Sequence, residues 1–349
     1  MKKSKNIKFI IILVMVIAFF TACANNQNGD QNQNGEENQQ EEPQPVEKEP
    51  VKTDNYYTAN ESGSISVISK ESNEVVHTIE TNGTAHNVQV SPDAKIFGAT
   101  VSNGMNDNGM AKFYNIENNE LINEVEVGKH PAHIEFTRDG KYAIVANSGD
   151  NNLSVIDISK YEVVNTVQTG KGPHGLRITS DNKLAFVANM GENSMSVISL
   201  INFTQLNKIE IGASPVTTAI AGDNQTIFVT LQDEDALAIY SMRGGEITKV
   251  PVGKKPAQVY VLGDYAYVAN QGTEASPSNT VSKVNIETQT VEATIEVGNG
   301  AHGVVVSNDN QFVYVTNIYD GTVSVIDNNT NKVITNVKVG EEPNGISVK

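Results

Sequence analysis

A repeat of about 42 residues runs through most of this chain and constrains its fold more than any other feature. Short segments of the form Gly-x-x-Pro or Gly-x-x-Ala recur, and their glycines are Gly128, Gly170, Gly212, Gly253, Gly298 and Gly340, with a degenerate first copy at Asn82 to Ala85. The successive intervals from Gly128 are 42, 42, 41, 45 and 42 residues. A period of this length is typical of the four-stranded blade of a β-propeller.

Each period contains four strand signals separated by turn residues. In the third copy they are Gly175 to Thr179, Leu184 to Asn189, Met195 to Leu200 and Gln205 to Ile211. Each run is short, rich in β-branched and apolar residues, and bounded by Asn, Asp, Gly or Ser. We name these strands A, B, C and D from the propeller axis outwards. Because no window of the mature chain shows sustained helical periodicity, the predicted fold class is all-β.

The two ends of the repeat region complement each other. The folded part begins with Tyr56 to Asn60, Ile65 to Ser69 and Val75 to Thr81, which correspond to strands B, C and D. The chain ends on Asn344 to Lys349, which corresponds to a lone strand A. The last strand should therefore complete the first blade and remove the open edge of the ring. The sequence predicts a seven-bladed β-propeller over residues 55–349.

The N-terminus has the organisation of an export signal. Four lysines among the first eight residues precede an apolar run from Phe9 to Phe20, which is short for a membrane span and suits a signal peptide over residues 1–22. The following Phe20-Thr21-Ala22-Cys23 resembles the bacterial lipobox, although that motif prefers leucine where Phe20 stands. The resemblance implies cleavage before Cys23 and lipidation of its thiol. The alternative is an ordinary secretory signal followed by a chance cysteine.

Residues 23–54 form a predicted tether between this cysteine and the repeats. The segment consists almost entirely of Asn, Gln, Glu, Gly and Pro and lacks apolar periodicity, so we expect a disordered, solvated spacer. Together these features predict an extracytoplasmic protein attached to the cell membrane through its lipid anchor alone. They leave open whether the envelope is a Gram-positive surface or a periplasm.

Charge and cysteine content exclude several classes of function. The chain has 25 Lys+Arg against 41 Asp+Glu, a formal net charge of −16, which disfavours nucleic-acid binding. Cys23 is the only cysteine. The repeat region therefore has no disulfide, no thiolate metal site and no cysteine nucleophile.

The repeat also resembles a known family. Tyr314-Val315-Thr316-Asn317 is the signature of the bacterial and archaeal YVTN surface-protein propeller repeats. Close variants are Phe186 to Asn189 and Tyr267 to Asn270, and Ser324 to Asp327 continues the pattern. The resemblance implies the propeller fold. Relatives of this kind include surface-layer and adhesion-type proteins, lactonase-like proteins, and haem- or metal-handling propellers of denitrification.

Histidines are concentrated at one position of the repeat. His86, His174 and His302 directly follow the Pro or Ala of their copies, and His133 lies one residue later. Antiparallel strands place the D–A and B–C loops at the same end of the ring, so these four imidazoles should share one mouth of the central channel, with Asn344 between His302 and His86. Converging neutral imidazoles suit Zn or Cu, or an axial position on haem iron. The alternative is that they only hydrogen-bond backbone where loop meets strand.

Other recurring polar residues are interpreted as architecture. The asparagines at the ends of B strands should cap turns in the left-handed region, and the aspartates of the A–B turns should act similarly. The B–C loops also carry acidic residues, which either attract cations to the mouth or form a solvated rim: Asp107, Asp150, Glu192, Asp233, Glu234, Asp235, Glu274 and Asp320.

Three functions remain open at this point. The favoured one is a non-enzymatic, membrane-anchored propeller that binds a transition metal, Zn or Cu, or a metal-bearing cofactor through His86, His133, His174 and His302. The second is a structural or adhesive protein that binds envelope polymer or protein. The third is a lactonase-like or oxidoreductase-like extracytoplasmic enzyme, for which the sequence identifies no catalytic residues.

Overall fold

Seven four-stranded antiparallel sheets follow one another around a ring in the computed structural model, which describes residues 54–104 and 107–349. Each sheet is one blade, so the predicted fold class is confirmed. A single 3₁₀ turn, Gln232–Glu234, is the only helical element in these residues. None of the described helical structure has the length and hydrophobicity needed to cross a lipid bilayer.

The strands are numbered in chain order. Blade 1 contains β1 (Asn55–Asn60), β2 (Ser64–Ser69), β3 (Val75–Glu80) and the C-terminal β28 (Pro343–Val348); blade 2 contains β4 (Thr84–Val90), β5 (Ile96–Ser102), β6 (Asn108–Asn115) and β7 (Leu121–Lys129); blade 3 contains β8 (Pro131–Phe136), β9 (Tyr142–Asn147), β10 (Asn152–Asp157) and β11 (Glu162–Gln168). Blade 4 contains β12 (Pro173–Ile178), β13 (Leu184–Asn189), β14 (Ser194–Ser199) and β15 (Thr204–Glu210); blade 5 contains β16 (Pro215–Ile220), β17 (Thr226–Leu231), β18 (Ala236–Ser241) and β19 (Ile247–Pro251). Blade 6 contains β20 (Pro256–Leu262), β21 (Tyr265–Thr273), β22 (Ser276–Asn285) and β23 (Thr290–Glu296); blade 7 contains β24 (Ala301–Val306), β25 (Phe312–Asn317), β26 (Thr322–Asp327) and β27 (Lys332–Lys338).

The A strands form the innermost circle. Each contacts the A strand of the next blade, and the contacts run without a break through β4, β8, β12, β16, β20, β24, β28 and back to β4. All six residues of β8 are buried, whereas the outer strand β15 is exposed along most of its length. The strands thus change from buried on both faces at the axis to solvent-covered at the rim.

The hydrophobic core is divided among the contacts between blades. Seven clusters of buried side chains lie in the described residues, one for each of the seven blade interfaces. In the cluster between blades 1 and 2, for example, Tyr57 packs on Phe97 with ring centroids 4.6 Å apart. Since burial of apolar surface is the main favourable term in folding, each blade depends on both of its neighbours.

The ring closes as the sequence predicts. Strand β28 pairs antiparallel with β1, with Tyr57 opposite Ser347 and Thr58 opposite Ile346. The side chain of Lys70 also donates a hydrogen bond to the Lys349 carbonyl at 2.8 Å. All described residues belong to one compact unit, Val51–Lys349, which contains every strand of the ring.

A buried asparagine ends strand B in four blades, and in blade 6 it lies three residues before the end of β21; in all five its side chain joins strand B to strand C: Asn60, Asn147, Asn189, Asn317 and Asn270. Asn189 is typical, because its Nδ2 donates to the hydroxyls of Ser194 and Ser196, each at 2.9 Å. The predicted architectural role is therefore correct for these five. The expected left-handed backbone is wrong, since none of them has a positive φ. Asn103 differs, because it lies beyond the end of β5 and is exposed.

The glycine that marks the repeat packs against this asparagine. A Cβ on Gly298 would lie 2.6 Å from Cγ of Asn317, and a Cβ on Gly340 would lie 2.5 Å from Nδ2 of Asn60. No side chain fits at such a distance without moving the amide. The recurring glycine and asparagine are therefore two halves of one contact between the D–A loop and strand B.

We expect the Gly298→Ala substitution to lower the free energy of unfolding by about 1–3 kcal/mol, because the added methyl group overpacks the buried Asn317 amide. Denaturant unfolding of residues 51–349 measures the effect. Gly222→Ala is the matched control, since a Cβ there meets nothing within 4 Å and its backbone is not left-handed. That control should be unchanged or stabilised by up to about 1 kcal/mol. Equal losses in both variants would contradict the proposed contact.

Candidate functional site

A β-bulge interrupts each A strand near its start. In blade 4, Pro173 pairs with Asn189 and Leu176 with Val187, so that His174 and Gly175 together oppose the single residue Ala188. The other six blades show a register shift at the same place. A bulge bends its strand and re-aims the side chains on it. The predicted histidine positions coincide with these bulges.

The bulges of three successive blades bring three imidazoles together. His86 of blade 2, His133 of blade 3 and His174 of blade 4 each offer a ring nitrogen, and these nitrogens all lie within 4.8 Å of one another. The ring centroids are 5.0 Å apart for His133 and His174, and 5.1 Å apart for His86 and His174. We call this group the histidine triad, and we call the channel end that bears it the histidine mouth.

Two members of the histidine triad have a fixed tautomer. Nδ1 of His174 lies 3.1 Å from the carbonyl oxygen of Val216, and Nδ1 of His86 lies 2.8 Å from Oε1 of Glu61. Carbonyl and carboxylate oxygens accept hydrogen bonds, so Nδ1 is the donor in both rings. In the neutral rings Nε2 is then unprotonated, and it carries a lone pair.

With both rings neutral, these two lone pairs face each other. Nε2 of His86 and Nε2 of His174 are 3.2 Å apart. Two unprotonated nitrogens repel at this distance unless a proton or a cation lies between them. Zinc binds histidine nitrogen at about 2.0–2.1 Å, and two such ligands at a tetrahedral angle are about 3.3 Å apart. The observed separation matches a pair of metal ligands.

His133 has the fewest hydrogen-bond partners of the three triad histidines. Its residue is 1% exposed, and neither ring nitrogen has a hydrogen-bond partner among the described residues. A buried polar side chain normally has at least one partner, so a histidine with none points to a missing ligand. Its position beside His86 and His174 indicates where that ligand would bind.

Two further residues named from the sequence, His302 and Asn344, and the additional histidine His130 lie around the triad. His302 is buried at 6% exposure in the same circle of strands, but it is outside the group whose nitrogens converge. Asn344 occupies the predicted gap, and its Nδ2 donates to Oε1 of Glu61 at 2.7 Å. His130 lies farther out in its D–A loop, with its ring centroid 6.4 Å from that of His86. Cys23, the predicted signal peptide and the tether to residue 53 lie outside the described residues.

The environment keeps the buried imidazoles neutral. Burial, together with the charges of His86 and His302, lowers the pKa of His174 to about 3. Burial and the charges of His174 and His86 hold the pKa of His133 well below its usual value. Burial and the charge of His86 lower the pKa of His302 to about 4. Unprotonated imidazole is the form that binds metal, so these three rings are in the ligand form at neutral pH.

Glu61 carries the negative charge of the site. Burial opposes its ionisation, but the hydrogen bond and charge of His86, the charge of His302 and the hydrogen bond from Asn344 lower its pKa to about 2. Sequence reasoning missed this residue. One feature of the sequence could have identified it. Glu61 directly follows the asparagine near the end of strand B, whereas the residue at this position in the other blades is uncharged.

Most of the acidic B–C loop residues serve a different purpose. Asp150 Oδ2 accepts a hydrogen bond from the backbone N–H of Lys129 at 2.8 Å, and Asp320 Oδ2 accepts one from Asn299 at 2.7 Å. Glu234 and Asp235 bind the D–A loops of their blades in the same way. These carboxylates fasten the D–A loop to the B–C loop and are therefore part of the scaffold around the mouth.

We expect the metal-free domain to lose stability as the pH falls from about 7 towards 4. His174 has an ordinary pKa of 6.5 and a folded pKa of about 3, so the unfolded chain binds more protons between these values and acid favours unfolding. For His174 the loss between pH 7 and 5 is of the order of 2 kcal/mol. Below about pH 4.5, protonation of Glu61 adds to it, since its folded pKa is depressed.

Denaturant unfolding at a series of pH values measures this dependence. His174→Gln should flatten the slope between pH 7 and 5. His77→Gln is the matched control, because His77 is exposed in β3, and it should leave the slope intact. Parallel curves for the wild type and His174→Gln would contradict the assignment of a buried neutral imidazole.

The fold and the site together define a seven-bladed β-propeller with a histidine cluster at one channel mouth. The family model of the choice-of-anchor I domain matches residues 47–292, and the chain belongs to that family. This membership indicates a cell-surface or extracellular protein. No curated protein matches the chain by sequence.

Solved structures share the fold at low sequence identity. The Kuenenia stuttgartiensis hydrazine synthase aligns with a TM-score of 0.69 and 18% identity over 75% of this chain and 89% of that chain. A functionally unknown protein from Desulfotomaculum acetoxidans aligns with a TM-score of 0.71 and 15% identity over 84% and 98%. The dihydro-heme d1 dehydrogenase NirN, in complex with DHE, aligns with a TM-score of 0.63 and 11% identity over 84% and 75%. These similarities support the propeller fold.

Proposed function

We propose that this propeller binds a transition-metal ion, Zn(II) or Cu(II), through the histidine triad. The observation that carries the proposal is the 3.2 Å separation of the two Nε2 atoms of His86 and His174, whose Nδ1 atoms are both committed as donors. His133 supplies the third nitrogen, and a bound ion would give this buried ring the partner that it lacks. Imidazole nitrogen is a preferred ligand of both ions.

Three converging nitrogens favour a bare ion over a haem. A haem iron takes one protein imidazole on each axial side, whereas here three side chains on successive blades point at a single position. A site with three protein ligands leaves the fourth tetrahedral position of zinc open. That position would hold water or an external ligand, which suits a protein that carries or presents the ion rather than one that uses it only for folding.

Glu61 would orient the first ligand. A metal-bound histidine usually donates its other ring N–H to a carboxylate, carbonyl or water, which fixes the ring and increases its basicity. Glu61 does this for His86, and the Val216 carbonyl does it for His174. The two residues would hold the imidazoles ready for an ion without contacting it.

We further propose that the domain is held at the outer surface of the cell membrane by a lipid on Cys23. Membership in the choice-of-anchor I domain family and the resemblance to YVTN surface-protein repeats support a location outside the cytoplasm. The apolar run before Cys23 and the polar segment after it support the anchor. The ion would then be bound outside the cell.

Residues 51–349 should bind one Zn(II) or Cu(II) ion per molecule at neutral pH. Isothermal titration after chelator treatment gives the affinity, and elemental analysis of the purified domain gives the stoichiometry. The double substitution His86→Gln and His174→Gln should abolish high-affinity binding, because it removes two of three ligands. His133→Gln should weaken binding strongly, while His77→Gln, an exposed histidine in β3, should bind as the wild type does.

Absence of saturable binding by the wild type, with Zn, Cu and Ni each offered, would defeat the proposal. The same variants separate the two alternative functions. A structural or adhesive protein should bind envelope polymer or protein equally well with and without the triad. If the protein is a lactonase-like or oxidoreductase-like enzyme, the triad variants should retain activity only when the active site lies outside the histidine triad.

Glu61→Gln should weaken metal binding by about 10–100-fold while leaving the three ligands in place, because it removes the carboxylate that orients His86. Glu341→Gln is the matched control, since it makes the same change of charge at an exposed position of the adjoining D–A loop. Titration calorimetry on the two variants measures both affinities. Equal weakening in both would indicate a long-range effect of charge and contradict the orienting role.

A further inference from the structure

The end of the channel opposite the histidine mouth contains a separate cavity of about 240 Å³. It is lined by residues of the A–B turns, among them Pro92 and Arg138, and by side chains near the ends of A strands. The A–B turns lie at the far end of the strands from the D–A loops, so this cavity does not share residues with the triad. We call it the arginine end.

Its positive charge is unusual for this protein. The chain has only three arginines against a net charge of −16, and two of the three, Arg138 and Arg177, line this one cavity. The third, Arg243, is exposed on a loop of blade 5. Guanidinium groups bind carboxylate and phosphate through paired N–H donors, so two arginines at one cavity favour a site for such an anion.

The two arginines differ in their existing contacts. Nη1 of Arg177 lies 3.3 Å from Oε2 of the buried Glu135 and donates to the Leu176 carbonyl at 3.0 Å. Glu135 therefore balances the charge of Arg177 and holds it in place. The guanidinium of Arg138 makes no hydrogen bond or ion pair within residues 54–104 and 107–349. Arg138 is an exposed residue, so its guanidinium is open to an incoming anion. Lys349 also lines the cavity.

Two neutral donors also line the cavity. Tyr260 and Gln89 lie at the ends of the A strands of blades 6 and 2, and their side chains likewise make no hydrogen bonds within the described residues. Burial raises the pKa of the Tyr260 phenol, so it remains protonated and able to donate. Arg177, Glu135 and Arg138 line the same cavity as this phenol.

We propose that the arginine end binds a small oxyanion, a carboxylate or phosphate group, between the Arg138 guanidinium, the Tyr260 hydroxyl and the Gln89 amide, with Arg177 fixed behind them by Glu135. The cavity has room for an anion of several heavy atoms. The site is independent of the metal proposed at the histidine mouth.

The test is titration calorimetry of metal-free residues 51–349 with inorganic phosphate and, separately, with succinate, at constant ionic strength. We expect one saturable site for at least one probe, which also identifies the preferred oxyanion. Arg138→Gln should weaken binding by about ten- to a hundredfold, because it removes a charge-assisted hydrogen bond. Tyr260→Phe should weaken it by a smaller factor. Thermal unfolding checks that both variants are folded.

Arg243→Gln is the matched control, since it removes the same charge from an exposed position outside the cavity, and it should bind as the wild type does. The double variant His86→Gln with His174→Gln should also bind normally, which excludes an anion held by protonated imidazoles. The proposal is overturned if neither probe binds saturably. It is equally overturned if Arg138→Gln and Arg243→Gln bind alike.

Discussion

The pairing of β28 with β1 is the contact on which the rest of this structure depends. Among residues 54–104 and 107–349, the buried apolar side chains lie in seven separate clusters between neighbouring blades rather than in one central core. Each cluster needs both of its blades, so the clusters stabilise one another only while the circle is complete. Loss of the β28 pairing would expose the cluster between blades 7 and 1 and leave strand edges unpaired on β1.

A symmetric scaffold produces an asymmetric site here by simple means. The bulge near the start of strand A is present in all seven blades, so seven side chains are presented at the mouth by similar backbone. Blades 2, 3, 4 and 7 place histidines there. Blade 5 has Val216 at this position, and its backbone carbonyl accepts a hydrogen bond from His174. The backbone is thus common to all blades, and the identity of one residue per blade determines the chemistry.

Much of the fold can be predicted from the sequence because the strand pattern of one blade occurs seven times. The number of blades, the four strands in each and the closure by the last strand are confirmed. The clustering of histidines at one mouth can also be predicted. Their position in the repeat and the direction of the strands determine at which end of the ring the side chains lie. A single sequence is sufficient when the structure is built from nearly identical, locally determined units.

Details that depend on side-chain direction could not be predicted. The spacing places His302 and His133 in neighbouring repeat positions, yet the structure brings His133 into the triad and leaves His302 outside it. Glu61 was missed because its role arises from contacts with Asn344 and His86, far away in the chain. The left-handed backbone expected for the strand-ending asparagines was wrong, because their amides bond to strand C instead of capping a turn.

The contact between Glu61 and Asn344 has a consequence for how the protein matures. These residues are separated by 283 positions and meet at His86 only when the C-terminal strand has joined the first blade. During synthesis, the three triad histidines emerge early, but the groups that support His86 are completed by residues close to the end of the chain. A molecule without β28 thus lacks the Asn344 contact that holds Glu61 beside His86. High-affinity binding at the proposed metal site would therefore depend on closure of the ring.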